Sequence, residues 1–278
     1  MIVYLDRNVL SHLRHRTRGA MDQDEATLRM ATKHGHLSLS LSIVTVSEVL
    51  LMDNKKQALD EIRWIVGLTD RAHIINHVVP LLNDCFRAYA RGTGAAASPY
   101  ATNLDLARLT SPTPRDYGAL LRTVLTYKQQ RTAWTDGWTH AMERWRAAMP
   151  RRLTFKQFMN AHAVEWLRIM AERAGVLVQC ERRGWAGLLA LKPIRLGVVV
   201  PLVLAHARMF GNRELEEAHF GDLHHAASAS PADVFVTHDG RLRELIRRAQ
   251  VGDMEVLTLR ELIRRLQREN RLDVQSGS

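Results

Sequence analysis

The chain has 278 residues, an apolar fraction of 46% and a formal net charge of +10, with a pI near 10.2. That is enough for one large domain, or for one domain with a sizeable insertion, and the basic balance points to an anionic partner, of which nucleic acid is the commonest. Cys85 and Cys180 lack the spacing of a zinc or redox motif and read as buried thiols suited to a reducing cytoplasm, while an N-terminus that reads as a strand excludes a signal-peptide core at that position.

In chain order, Ile2–Leu5 is a short continuous apolar run, the pattern of a buried parallel strand. Asp6-Arg7-Asn8 breaks it, and Val9–Arg18 and Asp22–His34 follow with helical spacing. Leu37–Leu41 alternates Leu and Ser, which predicts a second strand. Thr45–Asp53 starts a helix, Gln57–Leu68 is an amphipathic one, Ala72–Ile75 is a candidate third strand, and Pro80–Ala90 is helical. From residue 92 to about 195 no strand is expected. Tyr117–Met149 and Thr154–Ala174 read as long helices there, between the loop-like stretches Gly92–Ser98 and Thr110–Pro114. The alternation then resumes. Helices are expected over Val198–Phe210 and Glu214–Ser228, a strand over Asp233–Thr237, a helix over Leu242–Ala249, a strand over Met254–Leu257 and a helix over Leu259–Gln267. Ala186–Ala205 is the most apolar stretch, but Lys192, Pro193, Arg195 and Pro201 interrupt it, which argues against a membrane span. Short strands alternating with helices predict an α/β fold with a parallel sheet covered on both faces. The expected organisation is a first domain segment over 1–91, a basic helical insertion over 92–197, a second domain segment over 198–268 and a flexible tail over 269–278.

Four carboxylates sit at the edges of apolar runs. Asp6 ends MIVYLD, Glu48 follows SLSLSIVTVSE, Asp222 opens DLHHAASAS and Asp239 closes ADVFVTHD. Taken singly, each has an ordinary explanation: a helix cap for Asp6, a solvated helix position for Glu48, a first-turn acid for Asp222 and a turn residue for Asp239. In a parallel sheet, ligands bind beyond the carboxyl ends of the strands, which is where Asp6 and Asp239 fall. Carboxylates held together there would repel one another, and a hard divalent cation would relieve the repulsion through oxygen ligands.

The segments VYLDRNVL, SLSLSIVTVSEVL and GDLHHAASASPADVFVTHDGRL resemble the PIN-domain nucleases, the fold of the VapC-type toxin ribonucleases. The resemblance covers roughly residues 1–90 and 198–268 and leaves out the insertion. It implies a three-layer fold with a short central parallel sheet. Asp6, Glu48, Asp222 and Asp239 are then the catalytic acids and the ligands of one or two Mg²⁺ or Mn²⁺ ions, and Asn8 and Thr237 are supporting polar neighbours. The implied activity is hydrolysis of RNA phosphodiester bonds, with structured RNA such as tRNA as substrate, in a toxin or defence setting. The implied partners are RNA and a protein antitoxin, with self-association open and no membrane. A catalytically silent RNA- or protein-binding module and a structure-specific DNA nuclease stay open beside it.

The stretch Arg115–Arg195 holds 15 Lys plus Arg against 6 Asp plus Glu, so the insertion carries most of the net charge. Arg144, Arg146, Arg151 and Arg152 are the expected nucleic-acid contacts. Trp134, Trp138 and Trp145 recur at helical spacing with Ala141, Met142 and Met149, and read as a core stripe rather than a base-stacking platform. A second stripe of Phe155, Phe158, Met159, His162 and Trp166 is expected to pack on it. His206, His219, His224 and His225 read as surface or packing residues, and His238 is placed at the mouth of the acid cluster.

Overall fold

The opening apolar run becomes the centre of the sheet. In the computed structural model, Ile2–Leu5 forms β1 with β2 (Ser38–Ser42) on one side and β4 (Val234–Val236) on the other; β3 (Ile74–Ile75) and β5 (Glu255–Leu257) complete the order β3-β2-β1-β4-β5. The structure describes residues 1–15, 20–69, 74–76, 78–93, 98–100, 114–148, 153–211, 218–249 and 253–276. All four strand pairings are parallel, with Val3 opposite Leu39 and Val234, Leu41 opposite Ile74, and Phe235 opposite Val256. Tyr100 adds a single antiparallel bridge to Ile75 at the sheet edge, a contact that the strand-free reading of this region did not contain.

Successive side chains of a strand point to opposite faces, and the core divides accordingly. Val3, Leu5, Leu39, Leu41, Val234 and Val236 pack with α1 (Arg7–His15), α2 (Ala20–Lys33), α4 (Lys55–Leu68) and α13 (Leu259–Ser276). Tyr4 and Phe235 face the other way, towards α10 (Lys192–Gly211), α11 (Ala218–Ser228) and α12 (Gly240–Arg248). The result is an α/β fold of three layers. Its helices begin where polar side chains satisfy the first amide groups: Ser42 for α3 (Ile43–Leu50), Asn54 for α4 and Asp239 for α12.

The insertion is helical, as its spacing predicts. It contains α6 (Pro114–Ala148), α7 (Phe155–Arg173), α8 (Leu177–Arg183) and α9 (Trp185–Ala190), and its core also takes in α5 (Val78–Arg91). At 1.5 Å per residue α6 is about 50 Å long. The two aromatic stripes do pack together: Trp145 lies 5.6 Å from Phe158 and 4.4 Å from His162, and Trp138 lies 4.6 Å from Trp166, all between ring centroids. Trp138 and Trp145 are buried, so they stabilise the helix pair and are not open to bases. Trp134 and Met149 lie outside the described side chains. Cys85 and Cys180 are buried and free, and burial, assisted by the neighbouring Asp84, pushes the Cys85 thiol up to about 11.

Two features depart from the sequence reading. The helix expected over Val198–Phe210 starts earlier: α10 runs unbroken from Lys192 to Gly211, takes in Lys192, Pro193, Arg195 and Pro201, and crosses residues 197 and 198, where the insertion is expected to end. Pro193 is tolerated in the first turn, where the amide has no partner to lose. Val199, Val200 and Val203 of α10 join the sheet core while Val198, Leu202 and Ala205 join the insertion core. A helix with apolar neighbours on both sides becomes apolar all round. Over Lys192–Phe210 it is long and apolar enough to cross a membrane, yet 67% of that window is buried inside the protein, which is the position of a core helix. The second departure is α13, which continues to Ser276 through the stretch expected to be a flexible tail.

Candidate functional site

The chain runs from β1 outward to β2 and β3, then returns to β4 on the opposite side of β1. The crevice beyond the carboxyl ends of β1 and β4 is therefore the topological switch point, where open parallel sheets bind ligands. A cleft of about 510 Å³ opens there, lined among others by Asp6, Asn8, Glu48, Asp222, His225 and Asp239. All four acids and Asn8 are thus brought to one place from separate elements. Thr237 stands behind Asp6. Arg144 and Arg146 are exposed on α6 and do not line the cleft, and Arg146 donates to the Met209 carbonyl at 3.1 Å. Arg151 and Arg152 lie outside the described residues.

Asp6 is held hardest. Its amide donates to the Val236 carbonyl at 2.9 Å, which extends the β1–β4 pairing by one residue. Its side chain is buried and accepts the Thr237 hydroxyl at 2.7 Å, rather than capping α1. The same Thr237 oxygen accepts the Asp239 amide at 3.0 Å, so one hydroxyl ties the two strand-end acids together. Asp239 uses Oδ1 to accept from the Arg241 and Leu242 amides at 2.7 and 3.0 Å. It is a helix cap and a cleft residue at once. Asp222 lies inside α11, four residues after Ala218, within the helix expected over Glu214–Ser228. Its carboxylate makes no hydrogen bond among the described residues.

The sequence reading missed His225, the only imidazole among the cleft-lining residues. It is buried, and its Nε2 lies 2.8 Å from Glu48 Oε2 and 3.9 Å from Asp6 Oδ1. Its Nδ1 lies 2.6 Å from the Tyr4 hydroxyl, which also meets Ser42 Oγ at 2.8 Å. Two spacings carry the signal. His225 is three residues after Asp222 on one helix and so shares its face, and Tyr4 is two residues before Asp6 along a strand. Adjacency of His224 to His225 hid the first of these. His238, expected at the mouth of the cluster, is exposed and is not among the cleft-lining residues; its ring lies 4.7 Å from that of His12.

The electrostatics follow from this crowding. Burial raises the Asp222 carboxyl first, and the Asp239, Asp6 and Glu48 charges add to it against His225, so that it titrates at about 7. Burial pulls His225 down, but Tyr4, Glu48 and Asp6 together outweigh it and hold the imidazole well above its ordinary value. The cleft therefore keeps a proton on His225 and competes for one on Asp222. A folded pKa near 7 against an ordinary value of 3.8 means that protonated Asp222 contributes stability, present in full below pH 3.8 and lost as pH rises through about 7. In metal-free buffer, Asp222→Asn is expected to gain in melting temperature on the wild type across that window. Parallel melting curves at all pH values would contradict the assignment.

The donor set is all-oxygen apart from His225, and it repels itself, which is the chemistry that a hard divalent cation relieves. As the side chains stand, no three His, Cys, Asp or Glu residues among those described are arranged to hold an ion. Asp6 is turned to Thr237, Asp239 to the α12 amides and Glu48 to His225, so binding would require Glu48 to turn and Asp222 to lose its proton. No protein-family model, curated protein or solved structure matches this chain.

Proposed function

We propose that this chain is a PIN-type endoribonuclease dependent on Mg²⁺ or Mn²⁺. The observation that carries this reading is the gathering of Asp6, Glu48, Asp222 and Asp239 from four elements into one cleft at the switch point of a parallel sheet. One or two divalent ions, when bound, supply charge neutralisation and water activation for phosphodiester hydrolysis. Asp6, Glu48, Asp222 and Asp239 would hold them. Thr237 fixes the Asp6 rotamer and the α12 amides fix that of Asp239, so that less order has to be imposed on substrate binding. His225 holds Glu48 until a cation takes its place. Exposed Arg144 and Arg146 on the basic insertion would attract the phosphate backbone over a range set by salt. Structured RNA such as tRNA as substrate, a toxin or defence setting and an antitoxin that masks the cleft rest on the family resemblance alone.

Cleavage of RNA by purified protein, with and without divalent metal and beside DNA of the same sequence, is the test. Metal-dependent cutting of RNA in preference to DNA is the expected result, and preferential cutting of DNA would turn the reading to a structure-specific DNA nuclease. A second reading, a silent RNA- or protein-binding module, is favoured by one observation: Glu48 is engaged by His225 at 2.8 Å. Titration calorimetry separates the two. Mg²⁺ or Mn²⁺ binding that is lost in Asp239→Ala is expected of the nuclease, and no heat of binding is expected of the silent module.

A further inference from the structure

The cleft is not built from the two sheet-bearing segments alone. Arg131, half-buried on the insertion helix α6, is one of its lining residues. That position is not incidental, because α6 packs against α3 and α11, the helices that carry Glu48 and Asp222. Trp138 and Ala141, two and three turns further along α6, are buried and anchor the helix in its place. Two other guanidinium groups line the cleft. Arg7, at the start of α1, meets the buried carboxylate of Glu61 at 2.8 Å and Ser11 at 2.8 Å. Arg241 is exposed at the start of α12, and its amide caps onto Asp239. A cleft floored by four carboxylates repels a phosphodiester, so a polyanion can enter only if the walls offer positive charge close to where it must sit.

We propose that Arg131 is the phosphate-positioning residue of this cleft, engaging non-bridging oxygens of an RNA phosphodiester lying over the acids, and that α6 thereby makes the insertion part of the substrate site. A planar guanidinium offers two parallel N–H donors to a phosphate, which fixes orientation as well as charge. This rests on the phosphodiester reading of the cleft. It differs from the exposed Arg144 and Arg146, which would add only long-range attraction.

The test uses a fluorescein-labelled RNA stem-loop and fluorescence anisotropy in the Asp6→Ala background, where cutting does not interfere, across a series of potassium chloride concentrations. Arg131→Ala is expected to weaken binding by about tenfold or more and to lower the salt slope by about 1. Arg131→Lys is expected to recover the slope and part of the affinity, because it restores charge without the fork. Mg²⁺ affinity of the Arg131→Ala protein with Asp6 intact is expected to be unchanged. Wild-type affinity and slope in Arg131→Ala would overturn the proposal. So would a loss of binding that Arg131→Lys does not recover and that comes with a lower melting temperature, since Arg131 would then only brace α6. Absence of metal-dependent cutting by the wild type would overturn the nuclease reading instead, and the binding measurement would still decide the role of Arg131.

Discussion

Asp6→Ala is expected to abolish RNA cleavage, by at least about a thousandfold, which corresponds to roughly 4 kcal/mol of transition-state stabilisation, while the protein stays folded. Asp6 is the most buried of the four acids and the one whose orientation is fixed twice, by its amide on Val236 and by its side chain on Thr237. The substitution leaves the Thr237 hydroxyl without its acceptor, a cost of about 1 kcal/mol. It also removes one of the negative charges that raise Asp222, and the two effects oppose each other. The melting temperature should move by no more than about 3 °C. End-labelled RNA incubated with Mg²⁺ or Mn²⁺ measures the loss, and sequencing of RNA ends after induction in cells, wild type beside Asp6→Ala, locates the cuts. Full metal-dependent cleavage by a folded Asp6→Ala protein would exclude these acids as the catalytic set.

His225→Ala is expected to cause the largest loss of stability of any substitution in the cleft, about 2–4 kcal/mol. The imidazole bridges Tyr4 and Glu48 in a buried position. Its removal leaves a cavity, takes a partner from the Tyr4 hydroxyl and leaves Glu48 facing Asp6 and Asp222 with no cation between them. The pH dependence has a definite sign. The folded state holds the His225 proton above the ordinary value of 6.5, so the stability it contributes is complete below that pH and declines as pH rises through the folded value. The gap between wild type and His225→Ala, measured by chemical denaturation in metal-free buffer, should therefore be widest in mild acid and narrow in alkali. His225→Gln, which can still donate to one neighbour, should recover part of it. A gap that widens with pH would show that the imidazole is neutral in the fold.

How much of this was legible in the sequence varies by element. Ile2–Leu5 and ADVFVT each declared a strand, since a buried parallel strand needs a continuous apolar run, and the Leu–Ser alternation declared β2 by its period of two, although Ser40 and Ser42 are buried like the leucines. The Trp and Phe stripes of α6 and α7 declared a packed pair, because spacing near 3.6 places them on one face. Asp6 and Asp239 stood out because they end such runs. By contrast, α10 was expected to start only at Val198, six residues late. Its prolines and charges look like interruptions in one dimension, whereas in the fold Pro193 occupies the first turn and Lys192 reaches the Ala232 carbonyl at 2.8 Å.

By itself the sequence determined the parallel α/β plan, the helical character of the middle of the chain and the two acids that end β1 and follow β4. Those properties depend on local periodicity and on where an apolar run stops, and both are written along the chain. Only the tertiary structure decided what surrounds the acids. The order β3-β2-β1-β4-β5 sets the ends of β1 and β4 side by side, α11 turns His225 onto Glu48, and α6 delivers Arg131 to the wall. These juxtapositions join residues between about eighty and two hundred and thirty positions apart. They are consequences of packing, for which a single sequence carries no local mark.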